Sequence, residues 1–415
     1  MTSRSIRITA ASIMVATLVA ACGDDDDTGT AATDTAGTSA SSASSASSAP
    51  TGTEPEAAGP TDDELLAVAT TYADLVHAGY EAAIASATEM KTAIEAFVAD
   101  PTDATLGAAK DAWLASRDDY GPTEAFRFYD GPIDNPTDGP EGQINAWPMD
   151  EAYVDYVEGD ATAGIVSDTA GYPDITVDVL VEANEQGGET NISTGWHAIE
   201  FLLWGQDLSP DGPGERPLAD YTTDANAERR ATYLQLATQL LIDDLNSVAE
   251  QWAPDAAYRT EFLADPAVAV QRLLRGIGAL SRGELAGERM AVAYETKDQE
   301  DEHSCFSDNT AADVTNNARG AEIVYLAEFP GIDGPSPSDL VAAVDPALDE
   351  ALRAQLATSV ELTSGFPATF ETMIAAPEGD PANEALLEAI VSIEDQGDMI
   401  AEAAAALGLE ITLEV

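Results

Sequence analysis

Three histidines, His77, His197 and His303, are the only imidazoles in 415 residues, so any chemistry that needs that ring is confined to these positions. His197 and Glu200 stand three apart in Gly195-Trp196-His197-Ala198-Ile199-Glu200-Phe201-Leu202-Leu203-Trp204-Gly205, an apolar run opened by Ser193 and Thr194 and stopped by glycine. On a helix this spacing stacks the two side chains on one face. An imidazole and a carboxylate buried among tryptophan, leucine and phenylalanine are unfavourable unless they pair with each other or bind something. A hydrogen-bonded core pair meets that requirement, and so does a metal ion, because mixed nitrogen and oxygen donors suit iron, zinc or manganese. Glu300-Asp301-Glu302-His303 supplies the same residue types in the order Glu-x-x-His, the order used by di-iron bundles, which makes Glu300 and His303 further ligand candidates. With so few histidines, ligation has to be rich in carboxylates, which favours iron over a three-histidine zinc site.

Other chemistries lose ground on spacing. A zinc protease of the inverted type needs His-x-x-Glu-His, and the position after Glu200 is Phe201. Neither a Gly-x-Ser-x-Gly elbow nor the glycine spacing of a dinucleotide or phosphate loop occurs. Two more stretches set polar residues among aromatic ones. Glu124 and Arg127, again three apart, fall between Tyr120 and Phe128 and read either as a structural ion pair or as part of a site. From Glu284 to Thr310 acids crowd around His303 and Cys305; the thiol reads as buried and inert, and the charge run as a solvated loop.

The elements that must position these groups are helices. After Pro60 the apolar residues recur at three and four, with little strict alternation, so the fold class is all-α. Thr61 and Glu64 form a capping box ahead of Leu65, Val68, Tyr72, Leu75 and Val76, and Asp100-Pro101 ends that helix. A second helix is predicted over 103–119, and further ones near 225–252, 266–297, 316–329, 345–363 and 382–407. The stretch 129–143, dense in Gly, Pro, Asp and Asn, is expected to run over the surface. Pro254 is the best break between two packed helical bundles, residues 61–253 and 254–415.

Residues 1–21 have the layout of a secretory signal, with Arg4 and Arg7 before an apolar stretch too short to span a bilayer. Val19-Ala20-Ala21-Cys22 resembles a lipoprotein cleavage site, which makes Cys22 the expected acylated residue and membrane anchor. Residues 22–60 are nearly all Asp, Thr, Ala, Ser, Gly and Pro and read as a disordered linker. Gly23 after Cys22 points to the outer membrane, facing periplasm or cell surface. The chain carries 76 acidic against 17 basic residues, a formal net charge of −59, and such a field repels nucleic acid and anionic headgroups. Solubility in a salty habitat accounts for it, and a surface that concentrates cations near a binding site is compatible with it.

Three stretches together resemble the imelysin family, also known as iron-regulated protein A-like: 113–134 with Thr123-Glu124-Ala125-Phe126-Arg127-Phe128, the Gly195 to Gly205 run, and Ser304-Cys305-Phe306-Ser307-Asp308-Asn309-Thr310. The second carries that family's Gly-x-His-x-x-Glu signature. The resemblance implies two helical bundles with the signature near their interface, in exported envelope proteins linked to iron acquisition and also classed among metallopeptidases. Carried onto this chain, it makes His197 and Glu200 metal ligands and places Glu124, Arg127 and Asp308 in the lining of the same cleft. The expected function is a lipid-anchored binder of iron, as ion, chelate or haem, that passes it to envelope transport machinery. A metallopeptidase with Glu200 or Glu124 as general base, and a metal-free interaction module, are the alternatives.

Overall fold

The computed structural model describes residues 59–209 and 212–415; the expected signal segment, Cys22 and nearly all of the linker lie outside the described residues. Thr61 accepts from the Glu64 amide while Glu64 accepts from the Thr61 amide, so the capping box opens α1 (Asp62–Ala99). A second box, Thr102 with Thr105, opens α2 (Asp103–Tyr120). The chain then tightens into a 3-10 segment, Gly121–Phe126, before the short turns α3 (Glu141–Ile144), α4 (Glu151–Val154), α5 (Gly164–Ser167) and α6 (Val177–Ala183). The signature run forms α7 (Gly195–Trp204), followed by α8 (Ala227–Trp252), α9 (Ala257–Phe262) and α10 (Pro266–Ala279). Among the described residues there is no strand, only an isolated bridge between Val157 and Asp160.

From α10 the helix does not continue in the expected register. Leu280–Ala291 is π-helical and hands over to α11 (Val292–Thr296). After the 302–309 segment come α12 (Thr310–Leu326), α13 (Pro337–Val344), α14 (Pro346–Ser364), α15 (Phe370–Ala375) and α16 (Pro381–Ala406). Helices α1, α2, α7 and α8 pack with one another, and α10, α12, α14 and α16 do the same. Contacts of α1 with α10, and of the 121–126 segment with α12, join these groups. Pro254 lies in the short connection from α8 to α9.

The stretch 129–143 differs from its expectation. Tyr129 and Ile133 are buried, because the Tyr129 hydroxyl shares a hydrogen bond of 2.9 Å with Tyr72 on α1 and its ring packs against Phe262. A loop can be buried only when its own polar groups are satisfied. Here the Asp134 carboxylate accepts from the amides of Phe128 and Gly131.

A candidate metal centre built on two imidazoles

Gly195 fixes how α7 begins. Its φ is +79°, in the left-handed region, and a Cβ there would lie 2.4 Å from the Ile144 carbonyl oxygen. Only glycine lets α7 start this close to the backbone of α3. All ten residues of α7 are buried, so His197 and Glu200 must find partners inside the protein. They find each other: His197 Nδ1 lies 2.9 Å from Glu200 Oε2. The other Glu200 oxygen accepts from the Ser307 amide at 2.9 Å and its hydroxyl at 2.7 Å.

The second imidazole is held in the same way by different elements. His303 Nδ1 lies 2.9 Å from Asp313 Oδ2 on α12. Asp313 also accepts from Ser304 Oγ at 2.5 Å, from Asn309 at 3.1 Å and from Arg117 Nε on α2 at 3.2 Å. Arg117 in turn donates to Asn145 at 2.8 Å. The close approach of α12 that this network requires is permitted by Gly320, where a Cβ would lie 2.5 Å from the Pro122 carbonyl oxygen.

The two rings meet edge to face, their centroids 4.7 Å apart at 78°. Each Nε2 is buried and has no hydrogen-bond partner. Burial pushes both imidazoles down, to about 3, and neighbouring arginines add to it: Arg117 for His197 and Arg289 for His303. Burial likewise pushes Glu200 up to about 8, against the opposing hydrogen bonds from Ser307. For Asp313 burial acts upward but is outweighed by Arg117 and His303, which hold it well below the usual carboxylate range. Asp313 is thus a fixed anion that accepts a hydrogen bond from the Nδ1–H of His303 and leaves a lone pair on Nε2. A carboxylate on one ring nitrogen with the other nitrogen open is the arrangement of metal-binding histidines.

Glu200, expected as a ligand, sits on His197 Nδ1 as Asp313 sits on His303 Nδ1. With each Nδ1 held by a carboxylate, the two Nε2 nitrogens are the atoms that could hold a metal. Glu300 is exposed on the turn Gln299–Asp301, where its charged neighbours are Glu151, Asp298 and Asp207. Glu124 is fully buried beneath the site, accepting from Tyr120 at 2.7 Å, Arg127 at 2.7 Å and Arg289 at 2.6 Å. Burial raises Glu124, yet the two guanidinium groups overcome it and hold it far below its ordinary value. Arg127 reaches a cavity of about 450 Å³ that is also lined by Glu141, Trp147, Glu284, Arg289 and His303. Asp308 is absent from that lining and stands with Asp207 and Glu371. Cys305 is buried, and burial pushes its thiol well above its ordinary value.

Sequence reasoning assigned no role to Arg117, Asn145, Asp313, Ser304 or Ser307. Arg117 offered a signal: a guanidinium within the Trp113 to Tyr120 face of a helix needs a buried acid, and Asp313 near the start of another helix is its match. Nothing local ties position 117 to 313.

The family model described as "Peptidase_M75: Imelysin" matches residues 76–396. The protein named "Iron-regulated protein A" from Synechococcus elongatus is 28% identical over 320 residues, 76% of this chain and 80% of its own length. Among solved structures, an iron-regulated protein A precursor from Parabacteroides distasonis superposes with a TM-score of 0.64 at 18% identity, covering 83% of this chain and 96% of its own. An imelysin-like protein from Psychrobacter arcticum gives 0.59 at 14% identity, covering 85% and 98%. Both structures share the fold.

Proposed function

From the premise that this chain belongs to the imelysin family, we propose that it is a binder of iron ions, exported and anchored through Cys22, that offers His197 and His303 as exchangeable ligands. The observation that carries this reading is the pair of buried, unpartnered Nε2 atoms, each fixed from behind by a carboxylate. Two protein ligands make an open site, and the cation keeps positions for water or for a receiving protein. That suits capture and release better than permanent storage. The relative named iron-regulated protein A supports iron as the metal.

The cavity beside His303 favours a cation over an anionic chelate or haem. Arg127 and Arg289 face it, but so do Glu141, Glu185, Glu189 and Glu284, and Glu124 already neutralises the arginines from beneath. An anion entering there meets a net negative lining. A peptidase role finds less support, since every oxygen of Glu200 and Glu124 that could activate water is already engaged by His197, Ser307, Tyr120 or arginine.

Titrating the full chain with Fe²⁺ without oxygen, or with Co²⁺ as a spectroscopic substitute, is the direct test. One saturable equivalent is expected in the wild type. It should weaken at least about tenfold in His197→Ala and in His303→Ala, because each removes one of two ligands. Unchanged binding in both variants would refute the site.

A further inference from the structure

A second gathering of metal-type ligands lies apart from the imidazoles. Asp207 follows α7, Asp308 precedes α12 and Glu371 stands in the first turn of α15, yet one carboxylate oxygen from each falls within 4.8 Å of the others. Asp207 and Glu371 are buried and Asp308 half-buried. Glu302, only 2% exposed, is pushed up by burial and by Glu371, Asp308 and Asp207 against a hydrogen bond with Thr310, and its Oε1 is buried without a hydrogen-bond partner. Burial raises both Asp207 and Asp308; among the described residues the Ser209 amide opposes it at Asp207, while Asp207 and Glu200 add to it at Asp308. Buried like charges at this separation repel strongly unless protons or a cation intervene.

We infer that Asp207, Asp308 and Glu371, with Glu302 buried beside them, form an all-oxygen site for a hard divalent cation of the calcium class. It goes beyond the iron-binding reading and does not depend on it. Oxygen-only donors without imidazole or thiolate select hard cations over iron(II) or zinc. Ligands of calcium at about 2.3–2.6 Å lie up to about 5 Å apart across the ion, a span that accommodates these oxygens. An ion bound there would tie the segment after α7 to the 302–308 segment and to α15. His303 lies in that middle segment, so the cation would steady the loop that presents one imidazole.

The experiment is calorimetric titration of Ca²⁺ into the chelator-stripped full chain at about 0.5 M KCl, which screens diffuse attraction to the acidic surface. One saturable equivalent is expected in the wild type and in His197→Ala. In the double variant Asp207→Asn with Glu371→Gln, Ca²⁺ affinity should fall more than tenfold while Co²⁺ binding at the imidazoles persists. Absence of a saturable equivalent in the wild type would overturn the proposal. So would wild-type Ca²⁺ affinity in the double variant, or loss of Ca²⁺ binding in His197→Ala. Should the double variant fail to fold, the half-buried Asp308→Asn decides: the Ca²⁺-induced rise in melting temperature should vanish, and a full rise would count against the site. Failure of Co²⁺ to bind the wild type, with Ca²⁺ binding intact, would sink the iron reading alone.

Discussion

The two imidazoles reach the same outward-facing nitrogen by different electrostatic routes. Asp313 is ionised at every ordinary pH, so His303 already carries its proton on Nδ1 and takes a cation without rearrangement. The His197 pair differs: burial holds Glu200 near 8 and His197 near 3, so at neutral pH each keeps one proton. A cation on Nε2 leaves one proton between them, on Nδ1, and expels the other. Affinity for Co²⁺ should therefore rise about tenfold per unit between pH 6 and 8 and level off above. In Glu200→Gln that slope should disappear and binding should weaken about 10–100-fold, as for other orienting partners of metal histidines. A wild-type affinity that is flat over this range would contradict the proton assignment. Asp313→Asn is expected to be worse for the fold, by roughly 3–5 kcal/mol in denaturant unfolding, because it strands the buried Arg117 charge.

At the scale of elements, position is set by close backbone approaches and by one irregular helix. Gly195→Ala puts a Cβ against the α3 backbone at positive φ, and the dihedral alone costs about 1–3 kcal/mol. We expect this variant to melt earlier and to bind Co²⁺ more weakly, since α7 would shift with His197 on it. Equal melting and binding would mean that α3 gives way freely. The π-helical turn 280–291 has a visible use: Glu284 and Arg289, five apart, meet at 2.9 Å, and Arg289 then reaches Glu124 and Asn317. In an α-helix those positions do not face each other.

Across the whole molecule, charge is distributed unevenly between inside and outside. Among the described residues six basic side chains, Arg117, Arg127, Arg216, Arg230, Arg259 and Arg289, are buried in ion pairs with acids, Asp155 bridging Arg216 and Arg230. The surface is left with few cations, and self-repulsion destabilises the compact state until salt screens it. The melting temperature should climb by several degrees between about 0.05 and 1 M KCl; a fall would show that internal ion pairs dominate instead. Burial also raises Asp244 to about 7 and Asp308 to about 6, with help from Asp243 and Asp207 respectively. Such groups hold protons in the folded chain that the unfolded chain has already lost. Their contribution is complete near pH 4 and declines as pH rises toward 7, so the chelator-treated protein should be less stable at pH 8 than at pH 5. Melting curves across that range, with Asp244→Asn showing a shallower decline, provide the check.

The sequence by itself determined the helical class, the capped start of α1, and the residues 197 and 200 as an interior polar pair. These are local facts: periodicity, capping side chains and the cost of burying a lone charge act over a few residues. It did not reveal the π-helical turn, the buried course of Tyr129 and Ile133, or that Glu200 would back its histidine while Asp313 backed the other. Those were decided by packing, because the groups that choose a tautomer or neutralise an arginine come from elements far apart along the chain. Arg117 and Asp313 are separated by 196 residues and meet at 3.1 Å. No pattern along the chain encodes that meeting; it exists only once α2 and α12 lie side by side.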